Sequence, residues 1–331
     1  MSPLRRDLYI ESAGIYIDPP YPVEKAIITH AHSDHAKAGH RYVLATAETI
    51  GLMKIRYGPG AAGHWQTAAF GETVRLGDVL VTLYPAGHIL GSAQVLVEAP
   101  GKRIVVSGDY KRSGDGTCAS FIPVSCDTFV TEATFGLPVF QHPDPQDEIE
   151  KLLYSLRVFP ERSHLIAAYP LGKSQRVISL ARQAGYHAPI YLHGAIIGCC
   201  DYYEQNGVKL GDLRPATGMA KDALKGCLVV APPSALKEPW SRRLTDPVLG
   251  LASGWMTVKQ RVRQFGIELP LVISDHADWN ELCRTIRETE ASEVWVTHGR
   301  EEALVHWCRT QGLKAAPLHL QGREEEEGIE E

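Results

Sequence analysis

Lys25-Ala26-Ile27-Ile28-Thr29-His30-Ala31-His32-Ser33-Asp34-His35 is the stretch whose reading decides the fold. Lys25 to Thr29 has the composition of a strand, and it runs straight into His30, His32, Asp34 and His35. An extended backbone puts His30 and His32 on the same side, and a turn into a helix brings Asp34 and His35 round to a second point nearby. One tetrahedral ion rarely takes every ligand from so short a loop, so the run suits two ions better than one. The partners of such a centre belong at strand ends, where rigid backbone holds them. Three residues follow apolar runs in this way: His88 in Pro85-Ala86-Gly87-His88, Asp109 in Ser107-Gly108-Asp109, and His298 in Val296-Thr297-His298-Gly299.

Strands dominate the rest of the first 135 residues. Leu8-Tyr9-Ile10 and Ile15-Tyr16-Ile17 read as a hairpin, Asp18 ends the second strand, and further β-type runs lie at Val79-Leu83, Ala93-Glu98, Arg103-Ser107 and Thr128-Thr131. From Pro143 the texture changes. Helical spacing over Gln146 to Phe159, Ser174 to Ala184 and Ala195 to Asn206 alternates with strand-like Leu165-Tyr169, Ile190-Leu192 and Cys227-Ala231, the pattern of a parallel α/β layer. After Gly266 single strands return at Leu271-Ser274 and Glu293-Thr297.

Apolar residues make up 44% of the 331-residue chain and charged residues 22%, which is ordinary for a globular protein and indicates neither disorder nor a membrane class. No secretory h-region or long apolar span is present, so a cytoplasmic location with no membrane partner is expected. Seven cysteines without C-x-x-C spacing argue for reduced thiols, mostly buried, rather than disulfides. The net charge of −5 gives no global attraction to nucleic acid, but Glu324 to Glu327, Glu330 and Glu331 supply much of it, and a local basic groove is compatible with it. That acidic tail reads as a solvated, frayed terminus.

The run His30 to His35 resembles the H-x-H-x-D-H signature of metallo-β-lactamase-fold hydrolases, and Asp18, His88 and Asp109 resemble that family's other motifs. More narrowly, Thr131-Glu132-Ala133-Thr134-Phe135-Gly136, Asp275-His276-Ala277-Asp278 and Thr297-His298-Gly299 resemble motifs A, B and C of the β-CASP nucleases. That group includes Artemis, RNase J and the mRNA 3′-end processing endonucleases. Within it, this compact chain is most similar to bacterial ligase-associated DNA exonucleases. The resemblance implies an α/β fold: a metallo-β-lactamase αββα sandwich over residues 1–139 and 266–331, with an α/β β-CASP domain inserted over 140–265.

The resemblance also implies two divalent ions, zinc with manganese as the alternative. His30, His32 and His88 would hold one, Asp34, His35 and His298 the other, and Asp109 would bridge, with Asp34 counted among the catalytic residues. His276 would protonate the leaving oxygen and Glu132 would orient it; a carboxylate beside a histidine favours its charged, proton-donating form. Asp18 would orient a ligand or the loop, or cap the turn before Pro19-Pro20. Lys173 and Ser174, at a helix N-terminus, are candidates for phosphate binding, with a solvated first turn as the alternative. Trp255 is a candidate for base stacking or for an interface anchor.

The expected activity is metal-dependent hydrolysis of phosphodiester bonds as a DNA exonuclease in repair, on single strands or frayed ends, beside an ATP-dependent DNA ligase. Nothing in the chain resembles a KH module, a cold-shock fold or the RNase J C-terminal domain that would help hold RNA. The alternatives are an RNA-processing enzyme of the same mechanism, a small-molecule hydrolase such as a thioesterase, and an inactive scaffold subunit.

Overall fold

The computed structural model describes residues 3–114, 116–220 and 223–318. The acidic tail lies outside the described residues. The chain forms two compact units, one of residues 3–114, 118–141 and 276–318, the other of 116–117, 142–220 and 223–275.

The first unit contains two sheets. One has the order Tyr9–Ile10, Ile15–Ile17, Lys25–Ile27, His40–Ala45, Ala62–Thr67. The other runs Lys314–Pro317, Glu293–Gly299, Thr128–Ala133, Lys102–Val106, Ala93–Ala99, Val79–Pro85, Thr73–Leu76. Period-2 alternation sends side chains of the larger sheet to two separate cores. Val95, Val97, Ile104, Val106, Val130 and Trp295 pack with Ile10, Ile17, Ile27 and Leu44 of the smaller sheet. Their neighbours Leu96, Val105, Phe129, Val294 and Val296 pack with Leu282, Cys283 and Ile286 of the helix Trp279–Glu288 and with Leu304, Val305 and Cys308 of the helix Glu301–Thr310. The helix Ala47–Tyr57, capped by the Thr46 hydroxyl, adds buried Ile50, Leu52 and Met53. Sheet against sheet with helices outside is the α/β sandwich that the sequence implied.

The second unit holds a six-stranded sheet in the order Leu213–Pro215, Ile190–Leu192, Leu228–Ala231, His164–Ala167, Val248–Ala252, Leu269–Leu271. Every pairing in it is parallel. Its central strands, His164–Ala167 and Leu228–Ala231, are buried at every residue, as strands covered on both faces must be. Leu269–Leu271 pairs with residues 250–252, and the chain re-enters the first unit at His276. Among the described residues no helix is long and apolar enough to cross a membrane. None of the seven cysteines is in a disulfide, and five of them are buried.

Candidate metal centre

The loop after Lys25–Ile27 is a turn, not the start of a helix: the His35 and Ala36 N–H groups both donate to the His32 carbonyl, at 3.1 and 2.7 Å. The turn suffices to split the run. Donor atoms of His30, His32, His88 and Asp109 lie within 4.8 Å of one another, and so do those of Asp34, His35, Asp109 and His298. Asp109 is common to both groups and divides its oxygens between them. Oδ2 lies 3.5 Å from His30 Nε2 and 3.9 Å from His88 Nε2, while Oδ1 lies 3.4 Å from both His35 Nε2 and His298 Nδ1.

Strand ends deliver these residues. Asp109 follows Lys102–Val106 through Gly108, and His88 follows Val79–Pro85 through Gly87. Gly87 has φ +74, and a Cβ there would stand 2.3 Å from the Lys111 carbonyl oxygen, so the close approach needs glycine. The Ser92 hydroxyl accepts the N–H groups of His88 and Ile89, holding that loop. His298 is an extra residue in its strand: Glu132 pairs with Thr297 and Ala133 with Gly299, leaving His298 unpaired at φ +57. A bulge with left-handed backbone at a non-glycine residue re-aims a side chain at a local cost in strain.

Asp18, also at positive φ, sits behind His35 of the candidate ligand groups. Its Oδ2 accepts from His35 Nδ1 at 2.8 Å, and its two oxygens accept the Thr29 N–H and hydroxyl. His276 donates from Nδ1 to Glu132 Oε2 at 2.9 Å, and Glu132 Oε1 accepts the Tyr110 N–H at 2.7 Å. The acids that flank His276 in sequence have other duties. Asp278 caps the helix Trp279–Glu288 in a capping box with Glu281, and Asp275 is ion-paired with Lys173.

A test of whether cations suit this cage is its orphaned atoms. His30 Nε2, Asp34 Oδ1, His35 Nε2 and Asp109 Oδ1 are buried without a hydrogen-bond partner, an arrangement that costs about 1–3 kcal/mol per group when nothing else binds them. Their lone pairs converge, and imidazole nitrogen with carboxylate oxygen is a donor set for borderline divalent ions. The charges agree. Burial disfavours ionised carboxylates at Asp34 and Asp109, yet His35 and, for Asp109, His298 overcome it and hold both well below the usual range. Burial opposes a charged His298 ring, but Asp109 and Asp34 hold its pKa up at about 9. His30 goes the other way, pushed well down by burial and then by His35. Divalent ions therefore fit these residues. Stripping metal with a chelator is expected to destabilise the protein by about 4 kcal/mol for each site that was loaded at a thousand times its dissociation constant, read as a fall in thermal midpoint that added metal restores.

Lys173, Ser174 and Trp255 belong to the second unit and are buried. Lys173 and Ser174 do open the helix Lys173–Gln183, but neither forms a solvated first turn: Lys173 pairs with Asp275, and the Ser174 hydroxyl donates to the Tyr169 carbonyl at 2.7 Å. The Trp255 ring has the Arg261 guanidinium 4.2 Å from its centroid. Thr29, Tyr110 and Thr134 were not singled out by sequence. Tyr110 acts through a backbone N–H, which has no residue signature, and the Thr134 hydroxyl lies 3.4 Å from both His276 Nδ1 and His298 Nδ1.

Residues 17–160 match the Metallo-beta-lactamase superfamily. A protein of Opitutus terrae named "Probable DNA ligase" is 27% identical over 312 residues, covering 93% of this chain and 30% of that protein. "Ribonuclease TTHA0252" of Thermus thermophilus is 28% identical over 54% of this chain and 48% of its own length. "Cleavage and polyadenylation specificity factor 73" of Drosophila melanogaster is 23% identical over 72% of this chain and 42% of its own length. The chain thus spans less than half the length of these relatives. A protein of unknown function from Enterococcus faecalis shares the fold, with a TM-score of 0.57 at 14% identity over 91% of this chain and 80% of that one.

Proposed function

Since the chain carries a domain of the metallo-beta-lactamase superfamily, we propose that it is a metal-dependent phosphodiesterase, specifically a zinc-dependent DNA exonuclease of the β-CASP kind. The observation that carries this reading is Asp109, one carboxylate with an oxygen turned to each of two ligand groups. A carboxylate that faces two ligand groups suits two cations, and a pair of cations serves in-line displacement at phosphorus.

His30, His32 and His88 would hold one ion, Asp34, His35 and His298 the other, and Asp109 both. When bound, the ions would supply an activated water and charge neutralisation on the phosphate oxygens. The nitrogen-rich set without thiolates favours zinc, with manganese as the alternative. His276 is the acid. Its Nδ1–H is committed to Glu132, so Nε2 carries the proton given to the leaving oxygen, and Glu132, itself fixed by the Tyr110 N–H, keeps the ring from turning. Lys173 and Ser174 contribute by anchoring the start of their helix rather than by touching phosphate, and Trp255 by packing.

The relative named as a DNA ligase supports DNA as substrate, because nearly the whole of this chain aligns within that longer protein; with it goes the proposal of a repair role in the cytoplasm beside an ATP-dependent DNA ligase. The relatives named for ribonuclease activity and polyadenylation favour a second reading, the same chemistry on RNA. Identical end-labelled DNA and RNA oligonucleotides, single- and double-stranded, at fixed salt and metal, decide between them. Faster loss of terminal nucleotides from single-stranded or frayed DNA is expected. Faster cleavage of RNA, or mainly internal cuts in DNA, overturns the substrate assignment while leaving the metal chemistry intact.

A further inference from the structure

We propose that Thr29 is a positioning residue that sets the tautomer of His30 and, through Asp18, registers both halves of the metal centre with each other; this rests on the metal-centre reading above. Thr29 is buried, and its backbone is pinned on both sides. The N–H donates to Asp18 Oδ1 at 2.7 Å, and the carbonyl accepts the Ala93 N–H at 2.8 Å. The hydroxyl donates to Asp18 Oδ2 at 2.6 Å.

A hydroxyl has one proton and two lone pairs. With the proton given to the carboxylate, Thr29 Oγ1 can only accept from His30 Nδ1, 3.1 Å away. Nδ1 therefore carries the ring hydrogen, and Nε2 keeps a lone pair. Nε2 is the atom that faces Asp109 Oδ2 and is buried without a partner. Asp18 Oδ2 fixes His35 the same way, directly, by accepting from its Nδ1. One carboxylate thus sets two histidines, one in each ligand group and on opposite oxygens of Asp109. Thr29 also abuts the backbone that presents Asp109: a Cβ on Gly108, at φ +56, would lie 2.8 Å from Thr29 Cβ and Oγ1.

Valine keeps the branched shape and loses the acceptor, while serine keeps the hydroxyl and loses the methyl. Thr29→Val is expected to weaken binding of one metal equivalent by about 10- to 100-fold, the usual effect of removing a hydrogen-bond partner behind a ligating histidine, and to leave the other less affected. Thr29→Ser is expected to stay close to wild type. Two readouts are used, neither of which is activity. The first is competition of metal-free protein against a chromophoric chelator for added zinc. The second is long-range nitrogen–proton correlation of the imidazoles in metal-free protein, where His30 should show the Nδ1–H pattern in wild type and Thr29→Ser and lose it in Thr29→Val. Where valine disturbs the Gly108 contact, Thr29→Ala removes the hydroxyl without adding bulk and must show the same two changes. Unchanged affinity and an unchanged His30 pattern in the hydroxyl-free variants overturn the inference, as does equal loss in Thr29→Ser and Thr29→Val, which would assign the effect to packing. Failure of the wild type to bind any zinc is a different result and overturns the metal-centre reading itself.

Discussion

Asp109→Ala is expected to lose bound metal and nuclease activity together. Two divalent ions held by these groups would repel each other, since like unit charges at about 4 Å cost about 4 kcal/mol at an effective dielectric near 20. The Asp109 carboxylate, with one oxygen toward each group, would offset that repulsion. No other residue is a member of both ligand groups, because His30, His32 and His88 belong to one and Asp34, His35 and His298 to the other. Its removal costs each group a donor and restores the repulsion, so the loss in affinity should exceed the about 10- to 100-fold caused by changes behind the ligands. Asp109→Asn, similar in shape but uncharged, should fail in the same way. Elemental analysis of pure, folded protein under metal-replete conditions is the measurement. Two ions per chain in wild type and fewer than one in Asp109→Ala are expected; at most one ion in wild type would sink the binuclear reading.

The parts of this centre that were legible in sequence share a cause. Ligands drawn from few residue types, crowded into His30 to His35 or placed just after apolar runs, leave a pattern that a strand geometry can interpret. The supports left no such pattern. Thr29 reads as the last residue of a strand and Tyr110 contributes main chain, while Asp18, whose partners lie 11 and 17 residues away, was reached only through the family resemblance. Lys173 looks like an ordinary helix-start lysine because its partner, Asp275, is 102 residues away.

The fold divides similarly. Strands buried on one or both faces, such as Thr128–Ala133 and Leu228–Ala231, were visible as apolar runs. Ala62–Thr67, Ala-Gly-His-Trp-Gln-Thr, was not, since as the last strand of its sheet it buries only its first residue and has little apolar pattern to read. Leu269–Leu271, Leu-Pro-Leu, is an edge strand of the six-stranded sheet, the place where proline is tolerated, so its short run carries little strand signal.

His276→Ala is expected to keep its metal and lose rate, which separates chemistry from ligation at a point where geometry allows either. Donor atoms of Asp109, Glu132 and His276 also lie within 4.8 Å of one another, so a third metal-capable group exists on distance alone. The hydrogen bonds argue against its use. His276 Nδ1 and Glu132 Oε2 satisfy each other at 2.9 Å, and Glu132 Oε1 is taken by the Tyr110 N–H, whereas the orphaned atoms of the centre belong to His30, Asp34, His35 and Asp109. A histidine held at Nδ1 by a carboxylate transfers a proton through Nε2, and removing a general acid costs about 10²–10⁴-fold in rate. Glu132→Gln, which keeps an acceptor oxygen but removes the charge, should give a smaller loss in the same direction, again without loss of metal. Single-turnover rates on an oligonucleotide, measured beside metal content, provide the check. A His276→Ala protein with full metal and a rate within a few-fold of wild type would remove His276 from the chemistry, and one that has lost an ion would make His276 a ligand.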